Sequence, residues 1–213
     1  MSTAEPTVFV VDDDPAVLKS LSRLLRSARL DVATFSSPRE FLERHDLSTP
    51  GCIVLDVAMP GLNGLELQEA LTAKGSELPI IFLTGHGDIP MSVQAMKRGA
   101  LDFLTKPVHD EDLLKAVHVA IEKDRLQRQT RAEVTEIQQR LATLTPRERE
   151  VMEHVISGQL NKQTAADLGT VEKTIKVHRA RVMEKMQVQS VAELVRLAER
   201  AGIGGSNQTL VKQ

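Results

Sequence analysis

The chain has 213 residues, 41% hydrophobic and 26% charged, a composition that folds around cores rather than staying disordered. No apolar run approaches the ~20 residues of a membrane span, the N-terminus lacks the basic and apolar regions of a signal peptide, and the single cysteine, Cys52, excludes an internal disulfide framework and a cysteine-rich zinc site. A cytoplasmic protein with no membrane partner is expected, and its net charge of −2 hides a split: residues 1–123 hold 18 acidic and 12 basic side chains, residues 124–213 hold 11 acidic and 15 basic. Chance aside, an acidic half followed by a basic half points to two domains with different partners, the second toward nucleic acid. Five Phe and no Trp or Tyr leave little for aromatic base-stacking platforms.

The first half alternates strand and helix signals. Thr7–Val11, Val32–Phe35, Ile53–Leu55, Ile80–Leu83 and Asp102–Thr105 are short strand candidates. Several are near-continuous apolar runs, as in a parallel sheet covered on both faces. Asp14-Pro15 offers an N-cap with Pro at the first helical position, and Ser37-Pro38-Arg39-Glu40 is a capping box with the same Pro placement. Asp110 caps a helix through Leu113, Leu114, Val117 and Ile121. Five strands alternating with five helices predict a doubly wound α/β domain. Cys52 begins a buried strand and is inert.

After about residue 108 no strand signal survives. Residues 124–142 are polar and helix-prone, with Val134, Ile137, Leu141 and Leu144 in a short heptad-like stripe. They read either as a helical linker pairing with its copy in a dimer or as a solvated extension of the fifth helix. Thr145-Pro146-Arg147-Glu148 is another capping box. Its helix carries Val151, Met152, Val155 and Ile156 and stops before Gly158. Helices over about 161–168 and 172–186 follow, joined by a turn containing Gly169, and Ser190 opens a fourth that ends at Gly202. This is a helix-turn-helix pattern in a small all-α domain. The tail 204–213 reads as disordered.

Polar residues fall where the first-half strands end. Asp12 and Asp13 follow Val8–Val11, Asp56 follows Ile53–Leu55, Thr84 follows Ile80–Leu83, and Lys106 follows Phe103–Thr105. In open α/β sheets the crevice lies at the carboxyl ends of the strands, so distant positions converge there. One such Asp is ordinary, since polar residues commonly begin loops. Three carboxylates, a hydroxyl and an ammonium at successive strand ends are a constellation. Two carboxylates ~4 Å apart repel by about 4 kcal/mol at an effective dielectric near 20. A cluster of three takes up protons or holds a cation, and oxygen ligands favour Mg²⁺, with Mn²⁺ as a substitute. A neutralised carboxylate can attack phosphorus while the metal and a Lys offset charge on the transferring oxygens.

Val-Val-Asp12-Asp13-Asp14-Pro15, Leu-Asp56-Val-Ala-Met-Pro60-Gly61, Leu-Thr84-Gly-His86 and Asp-Phe103-Leu-Thr-Lys106-Pro107 together resemble the receiver domain of two-component response regulators, over residues 5–123. The resemblance implies a flavodoxin-like sheet of order 2-1-3-4-5. It implies that Asp56 accepts a phosphoryl group from a sensor histidine kinase. Asp13 and Asp56 would ligate Mg²⁺ with the Ala58 carbonyl, and Asp12 through water. Lys106 would pair with the phosphoryl group, Thr84 would move toward it, and Phe103 would take the aromatic switch position. The Lys106–Pro107 bond would be cis. His86, with Ala58, would tune phosphoaspartate hydrolysis; a phosphohistidine or metal-ligand role is the rival.

The third helix of the second half, Glu172 to Met186, turns Ile175, Val182 and Met186 inward and spreads Lys173, Lys176, Arg179 and Arg181 over the rest. Such a face is either ordinary solvated surface or a helix suited to a major groove. Leu144-Thr-Pro-Arg-Glu-Arg-Glu150, Gly158-Gln-Leu-Asn161-Lys162, Ala165-Ala-Asp-Leu168 and Lys173-Thr-Ile-Lys176-Val-His178-Arg resemble the LuxR-type DNA-binding domain, over residues 143–203 with 124–142 as linker. Both halves together resemble a response regulator of the NarL/FixJ class, and the run Thr84–Met91 leans to the FixJ side. The resemblance implies that Lys176, Val177 and Ala180 face base edges, and that Lys162, Lys173, Thr174 and Arg179 meet phosphates of promoter DNA. His178 is either a packing residue, the preferred reading, or a groove contact. Val191, Leu194, Val195 and Ala198 would supply a dimer contact or complete the small core, or both. Where the family usually carries a capping Ser, this chain has Val171, and Thr170 is expected to cap from one position earlier.

The implied activity is that of a transcriptional regulator switched by phosphorylation, homodimeric when phosphorylated, with RNA polymerase a further candidate partner. It is no enzyme beyond its own phosphotransfer and dephosphorylation. Three rivals stand beside it. One is a metal-dependent phosphohydrolase of the haloacid dehalogenase kind using Asp12 and Asp14. The others are a DNA-binding protein whose receiver ignores phosphate and a receiver serving mainly as a phosphate reservoir.

Overall fold

The computed structural model describes residues 5–46, 48–85 and 89–203. The expected site residue His86 and the tail 204–213 lie outside them. Two compact units divide between Arg128 and Gln129.

The first unit alternates β1 (Thr7–Val11), α1 (Pro15–Ser27), β2 (Asp31–Phe35), α2 (Pro38–Arg44), β3 (Gly51–Asp56), α3 (Gly64–Ala73), β4 (Ile80–Thr84), α4 (Ile89–Lys97), β5 (Asp102–Thr105) and the start of α5 (Asp110–Ala142). The strands form one parallel sheet of order β2-β1-β3-β4-β5, as expected. Side chains on a strand alternate between faces, so each apolar run feeds two cores. Phe9, Val11, Ile53, Leu55 and Phe82 meet Phe41 of α2, Leu67 and Leu71 of α3 and Ala95 of α4. Val8, Val10, Cys52, Val54, Ile81 and Leu83 meet Leu21 and Leu25 of α1 and Leu113, Val117 and Ala120 of α5. Burial pushes the Cys52 thiol up to about 12, which keeps it protonated and inert.

The helices start where their chemistry predicts. The Asp14 and Ser37 side chains accept from the N–H groups of Ala16 and Glu40, each with Pro just inside the helix. Asn63 and Glu66 form a capping box at α3. Asp110 does not cap α5 as expected; it lies inside the first turn with Glu111 and Asp112, where three acids suit the helix dipole.

The second unit holds α6 (Pro146–Ile156), α7 (Asn161–Asp167), α8 (Glu172–Lys185) and α9 (Val191–Arg200). Its core joins Val151, Met152, Val155, Ala165, Ile175, Val182, Met186 and Leu194. Of the two readings of residues 124–142, the extension of the fifth helix is what the structure has, but its apolar stripe is not solvated. Ile137, Leu141 and Leu144 are buried in this same core, so the stripe is spent inside the unit. No element begins at residue 124: α5 runs through Ala142 without a break. Thr145 and Glu148 complete the capping box at α6, and Ser190 caps α9. At α8 the expectation of a Thr170 cap is corrected. The N-cap is Val171 with no side-chain hydrogen bond, because the chain turns helical one residue too late for Thr170 to serve.

Candidate metal centre and nucleic-acid interface

The parallel sheet brings the ends of β1, β3, β4 and β5 together. Asp12 and Asp56 are almost fully buried, at 1% and 5% exposure, while Asp13 is exposed at the mouth. Carboxylate oxygens of Asp12, Asp13 and Asp56 all lie within 4.8 Å of one another. Lys106, one residue beyond β5, reaches between the buried pair: its Nζ lies 2.6 Å from Asp12 Oδ2 and 2.7 Å from Asp56 Oδ1. The remaining oxygens are also held. The Asp14 N–H donates to Asp12 Oδ1 at 2.9 Å, and the Ala58 N–H donates to Asp56 Oδ2 at 3.1 Å.

These contacts set the electrostatics. Burial pushes the Asp56 carboxyl above its ordinary range; the hydrogen bond and charge of Lys106 oppose the rise, and the Asp12 charge adds to it. Burial also pulls the Lys106 ammonium down, but its hydrogen bonds to Asp12 and Asp56 and their charges outweigh this and hold it above its usual value. One ammonium thus faces three carboxylates, a net negative pocket of oxygen donors. That donor set fits a hard divalent cation such as Mg²⁺.

Thr84 ends β4 at 4% exposure, and its carbonyl accepts from the Lys106 N–H at 2.7 Å. Phe103 on β5 is half-buried, its ring centroid 6.2 Å from that of Phe82. Ala58 is exposed beside Asp56. The Lys106–Pro107 bond is cis.

In the second unit the candidate DNA contacts separate into two groups. Lys162, Lys173, Lys176, Val177 and Ala180 are exposed, with Lys176 paired to Glu172 at 3.0 Å along one face of α8. Thr174, His178 and Arg179 are half-buried. The Arg179 Nη1 donates to Asn161 Oδ1 at 3.0 Å, joining α8 to the start of α7. His178 Nδ1 is buried with no hydrogen-bond partner, which favours packing over groove contact. On α9, Leu194 and Ala198 are buried in the unit's own core, while Val191 and Val195 are half-buried.

Two features escaped the sequence reading. Glu148, 2% exposed, takes a 2.6 Å ion pair from Lys185. Asp124, 4% exposed, accepts from the Gly51 N–H at 2.9 Å. Partners 37 and 73 residues apart leave no local signal.

Residues 8–118 match the model of the response regulator receiver domain, and residues 142–198 match that of the luxR family of bacterial regulatory proteins. Nodulation protein W of Bradyrhizobium diazoefficiens is 46% identical over 97% of this chain and 91% of its own length. The transcriptional regulatory protein FixJ of the same species is 45% identical over 94% of this chain and 98% of its own. The solved structure of response regulator StyR superposes with a TM-score of 0.85 at 48% identity, covering 92% of this chain and 100% of that one.

Proposed function

Because the chain belongs to the response regulators that join a receiver to a LuxR-type DNA-binding domain, in the NarL/FixJ class, we propose that a phosphoryl group on Asp56 switches its binding to promoter DNA. The observation that carries the proposal is the Lys106 ammonium held 2.7 Å from Asp56 inside a cluster of three carboxylates.

Asp56 is the nucleophile. Its carboxylate oxygen forms a bond to phosphorus as the nitrogen–phosphorus bond of a sensor kinase's phosphohistidine breaks, and the imidazole leaves with the electron pair. Lys106 then exchanges part of its carboxylate contact for the phosphoryl oxygens. Asp13, Asp56 and the Ala58 carbonyl, with Asp12 through water, would hold Mg²⁺, which would supply positive charge beside the transferring group. Thr84 donates its hydroxyl to the phosphoryl group, Phe103 follows it, and the α4–β5 side changes shape. His86 and Ala58 set how fast water removes the phosphate. This chemistry is confined to the chain itself, so the protein is a regulator rather than an enzyme.

The output is binding of α8 in a major groove. Lys176, Val177 and Ala180 face base edges, and Lys162, Lys173 and Thr174 meet phosphates. Arg179 meets phosphate with guanidinium N–H groups other than the one that Asn161 accepts. Phosphorylated copies pair, and of the four α9 residues expected at a dimer contact, Val191 and Val195 keep surface to contribute. A cytoplasmic location, contact with RNA polymerase and a linker role for residues 124–142 complete the reading.

The test is Asp56→Ala in the full chain, phosphorylated with a kinase or a small phosphodonor. The variant is expected to take up no acid-labile phosphate and to show no stimulated DNA binding. Full stimulation in that variant overturns the proposal.

A further inference from the structure

Asp56 ends β3; Gly51 begins it. The two ends are held by different means, and the far end is not used by the phosphotransfer chemistry. Gly51 is buried and stands opposite Thr7 of β1, at a φ of +145°, where any side chain would collide with the Thr7 carbonyl. Main chain therefore presses on main chain. Backbone N–H groups alternate sides along a strand. The Ile53 N–H points toward the β4 side and reaches the Pro79 carbonyl at 2.9 Å. The Gly51 N–H points the same way two residues earlier, before β4 begins. A buried amide in that position requires a partner, and it donates to the Asp124 carboxylate of α5 at 2.9 Å.

Asp124 is itself too buried to stand alone. Arg128, one turn along α5, closes the arrangement. Its Nε donates to Asp124 at 2.8 Å, its Nη1 to the Ser48 carbonyl at 2.6 Å and its Nη2 to the Thr49 carbonyl at 2.9 Å. Two helix side chains thus grip three backbone groups, at Ser48, Thr49 and Gly51, where the chain enters β3. A buried ion pair is poor evidence for stability, since an apolar contact often does as well; its best-attested use is to fix register. Here the register is that of α5. One residue of slip moves an α-helix 1.5 Å along its axis and turns it by about 100°. Arg128 is also the last residue of the first compact unit, and α5 continues beyond it to give Ile137 and Leu141 to the core of the second.

We infer that Asp124 and Arg128 are positioning residues that lock the phase of α5 to the start of β3, so that the strand ending in Asp56 and the helix leading to the DNA-binding unit move together. The inference rests on the phosphoacceptor reading of Asp56. It adds a route for the signal that runs along β3 to α5, separate from Thr84 and Phe103. A route needs a measured coupling and not adjacency alone.

The experiment uses full-length wild type, Arg128→Ala, Asp124→Asn, the double variant and Arg128→Lys. Each is treated with acetyl phosphate. Three quantities are read: acid-labile phosphate on Asp56, the ratio of DNA affinities with and without phosphate at one fixed salt, and the labelling rate of Cys52 by a thiol reagent. The DNA is the set of fragments that phosphorylated wild type retains from a random pool. Cys52 neighbours Gly51, is 0% exposed and is the chain's single thiol, so it reports opening of the β3 start. Arg128→Ala and Asp124→Asn are expected to phosphorylate like wild type and to label Cys52 faster. Their affinity ratio should fall from the 5- to 150-fold range typical of such couplings to about one. The double variant should be no worse than either single one, and Arg128→Lys should keep part of the ratio because it retains the charge without the two-carbonyl grip. A wild-type ratio in Arg128→Ala or Asp124→Asn overturns the inference, as does unchanged Cys52 labelling. Loss of phosphate uptake or of any phosphate effect in wild type instead refutes the phosphoacceptor reading. If the Ala or Asn variants do not fold, the Arg128→Lys ratio decides: full retention overturns the inference.

Discussion

Glu148 closes the α6 capping box and accepts the Lys185 ammonium, while Lys185 also donates to the Thr143 carbonyl at 3.0 Å. The Lys185 hydrogen bond, then the Thr145 N–H, pull its carboxyl down to about 2 against the opposing effect of burial. A carboxylate depressed in the folded state stabilises above its unfolded value and loses that contribution as the pH falls through the folded one. The second unit should therefore keep this stability above pH 4.5 and lose it progressively toward about 2. Thermal melts across that window should show the loss in wild type and a flatter profile in Glu148→Gln. The substitution itself should cost about 3 kcal/mol near neutral pH, the lower end for breaking a buried pair. Chemical denaturation of the full chain measures it. At this scale the sequence was legible wherever partners are close: Thr145 and Glu148 were readable as a box three residues apart. Lys185 was not, because its approach depends on how α8 packs against α6.

Among helices, α8 departs, as α7 does at Leu160, from the side-chain capping seen at α1, α2, α3, α6 and α9. Val171 leaves the first N–H groups of α8 without a side-chain acceptor and is 64% exposed. Val171→Ser should restore the acceptor and raise stability by about 1 kcal/mol, read as a shift in the denaturation midpoint at unchanged slope. A lower midpoint would mean that Val171 packs usefully despite its exposure. Strands and caps were the most readable elements, because apolar runs and Asp-Pro or Ser-Pro pairs act locally. Fates of amphipathic stretches were not. Ile137, Leu141 and Leu144 have the spacing of a dimer seam, and only the presence of Met152, Ile175 and Leu194 nearby decides that they face inward. A hydrophobic period says that a face is covered, never by what.

Taken as a whole molecule, two separate cores share one long helix. The carboxylates proposed to hold Mg²⁺ all belong to the first unit, so on that reading metal should stabilise that unit by mass action and leave the second untouched. Scanning calorimetry is expected to resolve two transitions, of which only the one lost with Asp13→Asn responds to millimolar Mg²⁺. Movement of both by equal amounts would mean that the units unfold as one. The parallel sheet and its crevice followed from alternation of elements, and so did the meeting of Asp12, Asp13, Asp56 and Lys106. The division at Arg128 did not follow, since α5 is polar and helix-prone on both sides of it and its apolar residues pass from one core at Ile121 to the other at Ile137.

Gly64, at the start of α3, is the counterpart of Gly51 at the other end of β3. Any side chain there would strike the carbonyl oxygen of Asp56, just as one at Gly51 would strike Thr7. β3 is thus met at both extremities by main chain, joined at Gly64 by the Phe82 ring. The backbone of Asp56 is therefore seated by main chain at both ends of its strand, and on the proposed phosphoacceptor reading this fixes the base from which its carboxylate meets an incoming phosphoryl group.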